Sequence, residues 1–297
     1  MFLTDSFYGH RTILARWCGR PDGLAMWAHL QHGWNAAAGF GTKYVEGMGN
    51  TQTLDRRLPV LVWNERNRAA CEEAGLTDVH VVGAPFAYLD RILDTGPHPA
   101  GEGTIAYPLH SGHGRPGSRG EAEYTAALLE REDGPVTVCL YWREEALAEV
   151  RSVYADAGFS VVCHGGREDP YFLHRQREAL LAHRRVVTNR VSTALWYGAL
   201  LGREIEVYGP QFASDHEARE AWWSEREHQW WPEVHAGPVA GAEAVAMGRD
   251  ELGADHLREP EELAALLGWS GWRRPLTTVL GAAGTARRAL RTGRNRR

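Results

Sequence analysis

Three short stretches gather groups that can hold or move charge, the first two of them with glycine: His110-Ser111-Gly112-His113-Gly114, Cys163-His164-Gly165-Gly166-Arg167 and Asn189-Arg190-Val191-Ser192-Thr193. Glycine lets the backbone approach a ligand closely, hydroxyls donate hydrogen bonds, and arginine or protonated histidine neutralises negative charge. Ser192 and Thr193 also open an apolar helical run, whose first N–H groups attract anions. The set suits a phosphate-bearing ligand. A fourth stretch, Gln31-His32-Gly33-Trp34, follows an apolar run. The ordinary pKa of a histidine suits a general base near neutral pH, and His32 reads equally as an ordinary turn histidine. The same ambiguity attends the others taken singly: the Ser192-Thr193 pair reads also as a helix cap, and the His110–Gly114 stretch as a flexible turn.

Other chemistries find less support. No G-x-G-x-x-G follows the first strands, and neither G-x-S-x-G nor H-E-x-x-H is present, which disfavours a nicotinamide dinucleotide site, a serine hydrolase of that type and a zincin. Lys43 is the only lysine, so a Walker-type phosphate loop is absent. Cys18, Cys71, Cys139 and Cys163 stand too far apart for a CxxC pair and read as buried reduced thiols. His110 and His113 are close enough to chelate, but no third ligand stands at a recognisable spacing. No metal and no cofactor are expected.

The elements that must position these residues alternate. "LPVLVWN" (58–64) is a strand, followed by a helix that Asn64 caps and Gly75 stops, then by the strand "DVHVVGAP". A Pro/Gly-rich stretch, "DTGPHPAGEG" (94–103), marks a domain boundary. Beyond it come the strands "TIAYPLH", "PVTVCLYW", "FSVVCHGG", "RRVVTN" and "REIEVYGP", each separated by a helix. In one of these helices Leu147, Val150, Tyr154 and Ala157 share a face, and Asp169-Pro170 opens another. Continuous apolar strands between helices predict a parallel sheet covered on both faces, and in such sheets ligands bind at the carboxyl ends of the strands. The three stretches all follow strands of this sheet. The expected division is an N-terminal α/β domain over 1–95, a donor-type domain over 104–211 and a helical segment over 212–297 that carries Trp222, Trp223, Trp230 and Trp231.

At 297 residues, 43% hydrophobic and 24% charged, the composition is that of a globular protein with room for two cores. A net charge of −5 argues against nucleic acid as a partner. No apolar run approaches the ~20 residues a spanning helix needs, and the start of the chain lacks a basic-then-apolar signal, so the expectation is a soluble, cytoplasmic protein. Six arginines fall in the last eleven positions. They read as a solvated end, or as attraction to anionic lipid head groups at the inner membrane face.

Several of these stretches resemble one family. "VHVVGAPFAYLDRIL" (79–93) resembles the segment closing the N-terminal domain of CDP-glycerol glycerophosphotransferases and capsule-polysaccharide glycosyltransferases, in which a strand ends in Gly-x-Pro. "IAYPLHSGHG" stands where those families begin the nucleotide-binding domain. "VVCHGGREDP" is similar to their histidine motif, with His-Gly in place of the usual His-Pro, and "VVTNRVSTALWYGALLGREIEVYGP" to their donor-binding strand–Ser/Thr–helix–strand. "QHGW" sits where these proteins often carry His-Gly. Over roughly 28–210 the chain is thus similar to the GT-B transferase superfamily, with a first domain short for that fold.

The resemblance implies an α/β fold of two Rossmann-like domains facing a cleft. It also implies metal-independent transfer of a glycosyl or glycerophosphoryl group from a nucleotide-activated donor to a glycan or lipid-linked acceptor in surface-polysaccharide or glycoconjugate synthesis. On it His32 is the acceptor-side base, with Gln31, Gly33 and Trp34 beside it. His164, Ser192 and Thr193 hold the donor phosphates, with Asn189, Arg167, His110, Ser111 and His113 nearby. A nucleotide-sugar epimerase or hydrolase of the same fold, and a non-catalytic nucleotide-sugar or polysaccharide binder, are the alternatives.

Overall fold

The computed structural model describes residues 7–35, 55, 57–93, 98–99, 101–109, 120–210, 225–271 and 273–294. The chain divides into two compact units. One holds residues up to Asp94 together with Glu168–Tyr171 and everything from Leu252 onward; the other holds Thr95–Arg167 and Phe172–Glu251.

The first unit has a three-stranded parallel sheet, β1 (His29–Leu30), β2 (Val60–Val62) and β3 (Val79–Val81), with β2 in the middle. Val60, Leu61 and Val62 are all buried, as a central strand covered on both faces requires. Helix α1 (His10–Trp17) packs against α3 (Pro85–Ile92), while α2 (Glu65–Glu73) joins β2 to β3. Asn64 caps α2 as its sequence position predicts, its Oδ1 accepting the Asn67 N–H at 2.9 Å, and Gly75 follows the helix at a φ of 80°.

The second unit is a five-stranded, wholly parallel sheet in the order β6-β5-β4-β7-β8, built from β4 (Thr104–Tyr107), β5 (Val136–Cys139), β6 (Ser160–Val162), β7 (Arg185–Thr188) and β8 (Glu204–Val207). Helix α4 (Glu121–Arg131), the short α5 (Trp142–Glu145) and α6 (Ala148–Asp156) connect the first three strands. On one face Ala106, Val138 and Val187 pack with Tyr124 and Leu128 of α4 and Val150 and Tyr154 of α6. The helices between later strands are α7 (Phe172–Ala182) and α8 (Thr193–Leu200). Gly198 permits close packing of α8, because a Cβ there would stand 2.5 Å from Cγ2 of Val186 in β7. The predicted doubly wound sheet is therefore present, with β4 and β7 adjacent where the strand order reverses.

The amino end of this sheet carries a buried charge network. Register places Thr104, Arg185 and Glu204 side by side, and Glu206 lies two residues on, on the same face. Arg185 pairs with Glu132, Glu204 and Glu206, and Arg131 reaches Glu206 as well. Burial of such charges is tolerable only because each is paired.

The described C-terminal residues, expected as one helical segment from 212, are shared between the two units. Helix α9 (Pro232–Ala236) and nearly all of α10 (Gly241–Leu252) belong to the second unit, where Trp231 packs on Trp196 of α8 at 5.8 Å. Trp230 is exposed, and Trp222 and Trp223 lie outside the described residues. Helices α11 (Pro260–Leu266) and α12 (Arg273–Arg294) belong to the first unit. There Trp269 donates its indole N–H to the Ala25 carbonyl at 2.8 Å, and Arg258 Nε donates to the Val81 carbonyl at 2.8 Å. The physical reason is area. A sheet of three very short strands buries too little by itself, and the fully buried Leu263, Leu267 and Trp269 supply the remainder.

Candidate functional sites on the two units

In the second unit the residues of interest collect at the carboxyl ends of the strands. Asn189, directly after β7 and almost fully buried, accepts the Leu109 N–H on Oδ1 at 2.8 Å and donates Nδ2 to the Pro210 carbonyl at 2.9 Å. One side chain thus ties together the segments leaving β4, β7 and β8, at the place where the strand order reverses. Its role here is to position backbone. Arg190 follows, donating Nε to buried Glu227 at 2.8 Å, and the other carboxylate oxygen of Glu227 accepts the Val191 N–H at 3.2 Å. Burial raises the Glu227 pKa, and the charge of Arg190 opposes that rise.

Ser192 occupies the N-cap of α8 in extended conformation, φ −143°, yet makes no capping hydrogen bond. Its Oγ is buried and has no hydrogen-bond partner among the described residues. A cap serine that leaves the helix N–H groups alone keeps both its hydroxyl and those donors for something else. Thr193 is the first residue of α8 and half-buried.

His164 lies just past β6 with its ring buried against Phe172 and Tyr107, at centroid distances of 5.8 and 5.9 Å. Its Nε2 shares a 3.0 Å hydrogen bond with the Tyr107 hydroxyl, and its carbonyl accepts Nε and Nη2 of Arg175 at 2.9 and 2.6 Å. Burial, aided by the Arg175 charge, holds the His164 pKa down to about 4. At that pKa the ring is neutral at pH 7 in this fold and engages its surroundings as a hydrogen-bonding group. Positive charge here comes from Arg175, on the helix after the histidine motif, which carries no glycine signal in the sequence. Arg167 is exposed. His110, Ser111 and His113 lie outside the described residues, in the segment that follows β4.

In the first unit Gln31 is fully buried and its amide is engaged throughout. Oε1 accepts the Trp63 N–H at 3.0 Å, and Nε2 donates to the Gly33 carbonyl at 3.0 Å and to Asn67 Oδ1 at 3.1 Å. Asn67 Nδ2 in turn donates to the Asn35 carbonyl at 3.2 Å. Gln31 therefore builds the turn that presents His32. His32 and Trp34 are half-buried, as is Gly33, and the His32 ring stands 5.1 Å from that of Phe7.

His10, which no motif singles out, lies close to His32. It is 2% exposed, its ring is edge-on to Trp63 at 6.3 Å, and its Nε2 has no hydrogen-bond partner among the described residues. Burial first, and then the charge of His32, push its pKa down to about 3. The turn before it is strained. Tyr8 has a φ of 55°, and Gly9 a φ of 80°, where any Cβ would stand 2.2 Å from the Pro170 carbonyl oxygen. Such strain persists only where the surroundings enforce it.

Among the described residues, no group of three or more histidine, cysteine, aspartate or glutamate side chains is arranged to hold a metal ion. No family model matches the chain, and no curated protein matches it. Solved structures similar to it include the wall teichoic acid polymerase TagF with CDPG, at 12% identity and a TM-score of 0.34 over 77% of this chain and 56% of that one. Others are the S. aureus MnaA–UDP co-structure (12%, 0.36, 75% and 62%) and a glycosyltransferase from Rickettsia africae ESF-5 (12%, 0.35, 81% and 70%). The chain spans a little over half the length of TagF. Likenesses of this depth assign no residue a role.

Proposed function

We propose that this protein is a GT-B-like glycosyltransferase, moving a sugar or glycerophosphate-type group from a nucleotide-activated donor to the hydroxyl of a glycan or lipid-linked acceptor. The observation that carries the reading is the carboxyl edge of the five-stranded sheet, with the unengaged Ser192 hydroxyl at the N-terminus of α8 and Asn189 holding the neighbouring backbone. A diphosphate seated there meets helix N–H groups and the Ser192 and Thr193 hydroxyls, which would stabilise the leaving group as its charge develops. His32 takes the acceptor proton, and His164 with Tyr107 supplies neutral hydrogen bonds to the donor. The motif resemblance over 28–210 supports the same assignment.

The test is a thermal-shift panel of UDP-, GDP-, CDP- and dTDP-linked ligands. Ligand at about 100 times its Kd stabilises the folded protein by about 2.7 kcal/mol, so one base should raise Tm by several degrees. Ser192→Ala should weaken that ligand about tenfold while leaving the free protein's Tm unchanged, since Oγ has no hydrogen-bond partner among the described residues. His32→Ala should abolish turnover and leave donor affinity intact. If no nucleotide shifts Tm, or if turnover survives His32→Ala, the donor or base assignment respectively is lost.

A further inference from the structure

After Glu262 the chain contains no acidic residue, and each of its eight charged side chains is an arginine. The whole chain is net −5, so positive charge is gathered into this segment. Most of it lies on α12, a helix of 22 residues and hence about 33 Å long. The fold uses one side of the first turns. Thr277 is fully buried, its carbonyl accepts the Ala25 N–H at 2.9 Å, and a Cβ at Gly281 would stand 1.8 Å from the Gly23 carbonyl oxygen.

Another side is apolar and faces solvent. Leu276, Val279, Leu280 and Ala283 follow i, i+3, i+4, i+7 spacing, which makes one stripe. Leu276, Val279 and Leu280 are 44%, 68% and 38% exposed, half of the six large apolar side chains exposed among the described residues.

Charge and stripe together select the partner. Nucleic acid would meet the arginines and leave the stripe in water, and an ordinary protein surface would cover the stripe without calling for uninterrupted positive charge. A layer of anionic head groups over hydrocarbon meets both. No helix of the described residues is long and apolar enough to cross a membrane, so such a helix lies in the interface plane. We propose that α12 docks the protein on an anionic membrane surface, its Leu276–Val279–Leu280 stripe entering the acyl boundary and its arginines meeting lipid phosphates.

The experiment is co-sedimentation of the full chain with vesicles of phosphatidylcholine alone and of phosphatidylcholine with phosphatidylglycerol, at low and high salt. The expected result is binding to the phosphatidylglycerol vesicles that falls with salt, and little to phosphatidylcholine alone. Val279→Asp, at an exposed position that leaves Tm unchanged, should reduce partitioning roughly tenfold or more. Replacing Arg287 and Arg288 by Gln should reduce it about 30-fold. Three outcomes overturn the proposal: no binding to anionic vesicles, equal binding to both kinds, or Val279→Asp binding like the parent. A lipid-free dimer dispersed by Val279→Asp in sedimentation velocity also overturns it, in favour of a second copy of the chain.

Discussion

Buried imidazoles make this protein's stability depend on pH in a definite direction. His10 and His164 are held neutral, with pKa values of about 3 and about 4, against about 6.5 in an unfolded chain. Between those values the unfolded state binds more protons than the folded one, so stability rises with pH. The contribution is fully present above about pH 6.5 and is lost as pH falls toward 4. Each group can account for a few kcal/mol over that window. Urea denaturation at pH 7.5 and pH 5 should show the loss, and His10→Phe should shrink it, because a phenyl ring keeps the contact with Trp63 and cannot be protonated. No loss on acidification in the parent protein would contradict this account. Asn189 is a different case, since its worth lies in two backbone groups it satisfies. Asn189→Ala leaves the Leu109 N–H and Pro210 carbonyl unpaired and should destabilise by about 1–3 kcal/mol, as measured by the same denaturation curves.

At the scale of elements, the strands of the second sheet were legible because each is a short apolar run between a helix and a turn signal. Strand β1 was not, since His29 and Leu30 are too few residues to show any period. The network around Arg185 was hidden for another reason. The stretches "RRVVTN" and "REIEVYGP" read as strands, and only pairing register shows that Arg185 and Glu204 are neighbours with Glu206 on the same face. Arg185→Met would take a paired cation from both Glu132 and Glu206, leaving Glu206 with Arg131. It should cost about 3–5 kcal/mol, visible as a lower denaturation midpoint with an unchanged slope. The candidate site was legible only in part. Ser192 and Asn189 declare themselves by following a strand, whereas His10 and Arg175 reach their places through tertiary packing that leaves no local pattern. The residues of Gln31-His32-Gly33-Trp34 stayed together, but Gln31 proved to be the support of the turn.

For the whole molecule, the surprise is that one unit is assembled from both ends of the sequence. Helix patterns after 252 predicted helices correctly, but nothing local says which core they complete, because that depends on contacts more than two hundred residues apart in sequence. Trp269 shows the consequence. It is fully buried and its indole donates to the Ala25 carbonyl, so Trp269→Ala removes a large core side chain and strands a backbone acceptor. Truncations of this kind cost about 3–5 kcal/mol, which is a large share of a domain's net stability. The damage should be confined to the unit that Trp269 completes. Native-state hydrogen exchange of Trp269→Ala should therefore show faster exchange at the amides of Val60–Val62, with those of Val186 and Val187 protected as in the parent. Equal loss of protection at both sheets would mean that the two units unfold as one cooperative body.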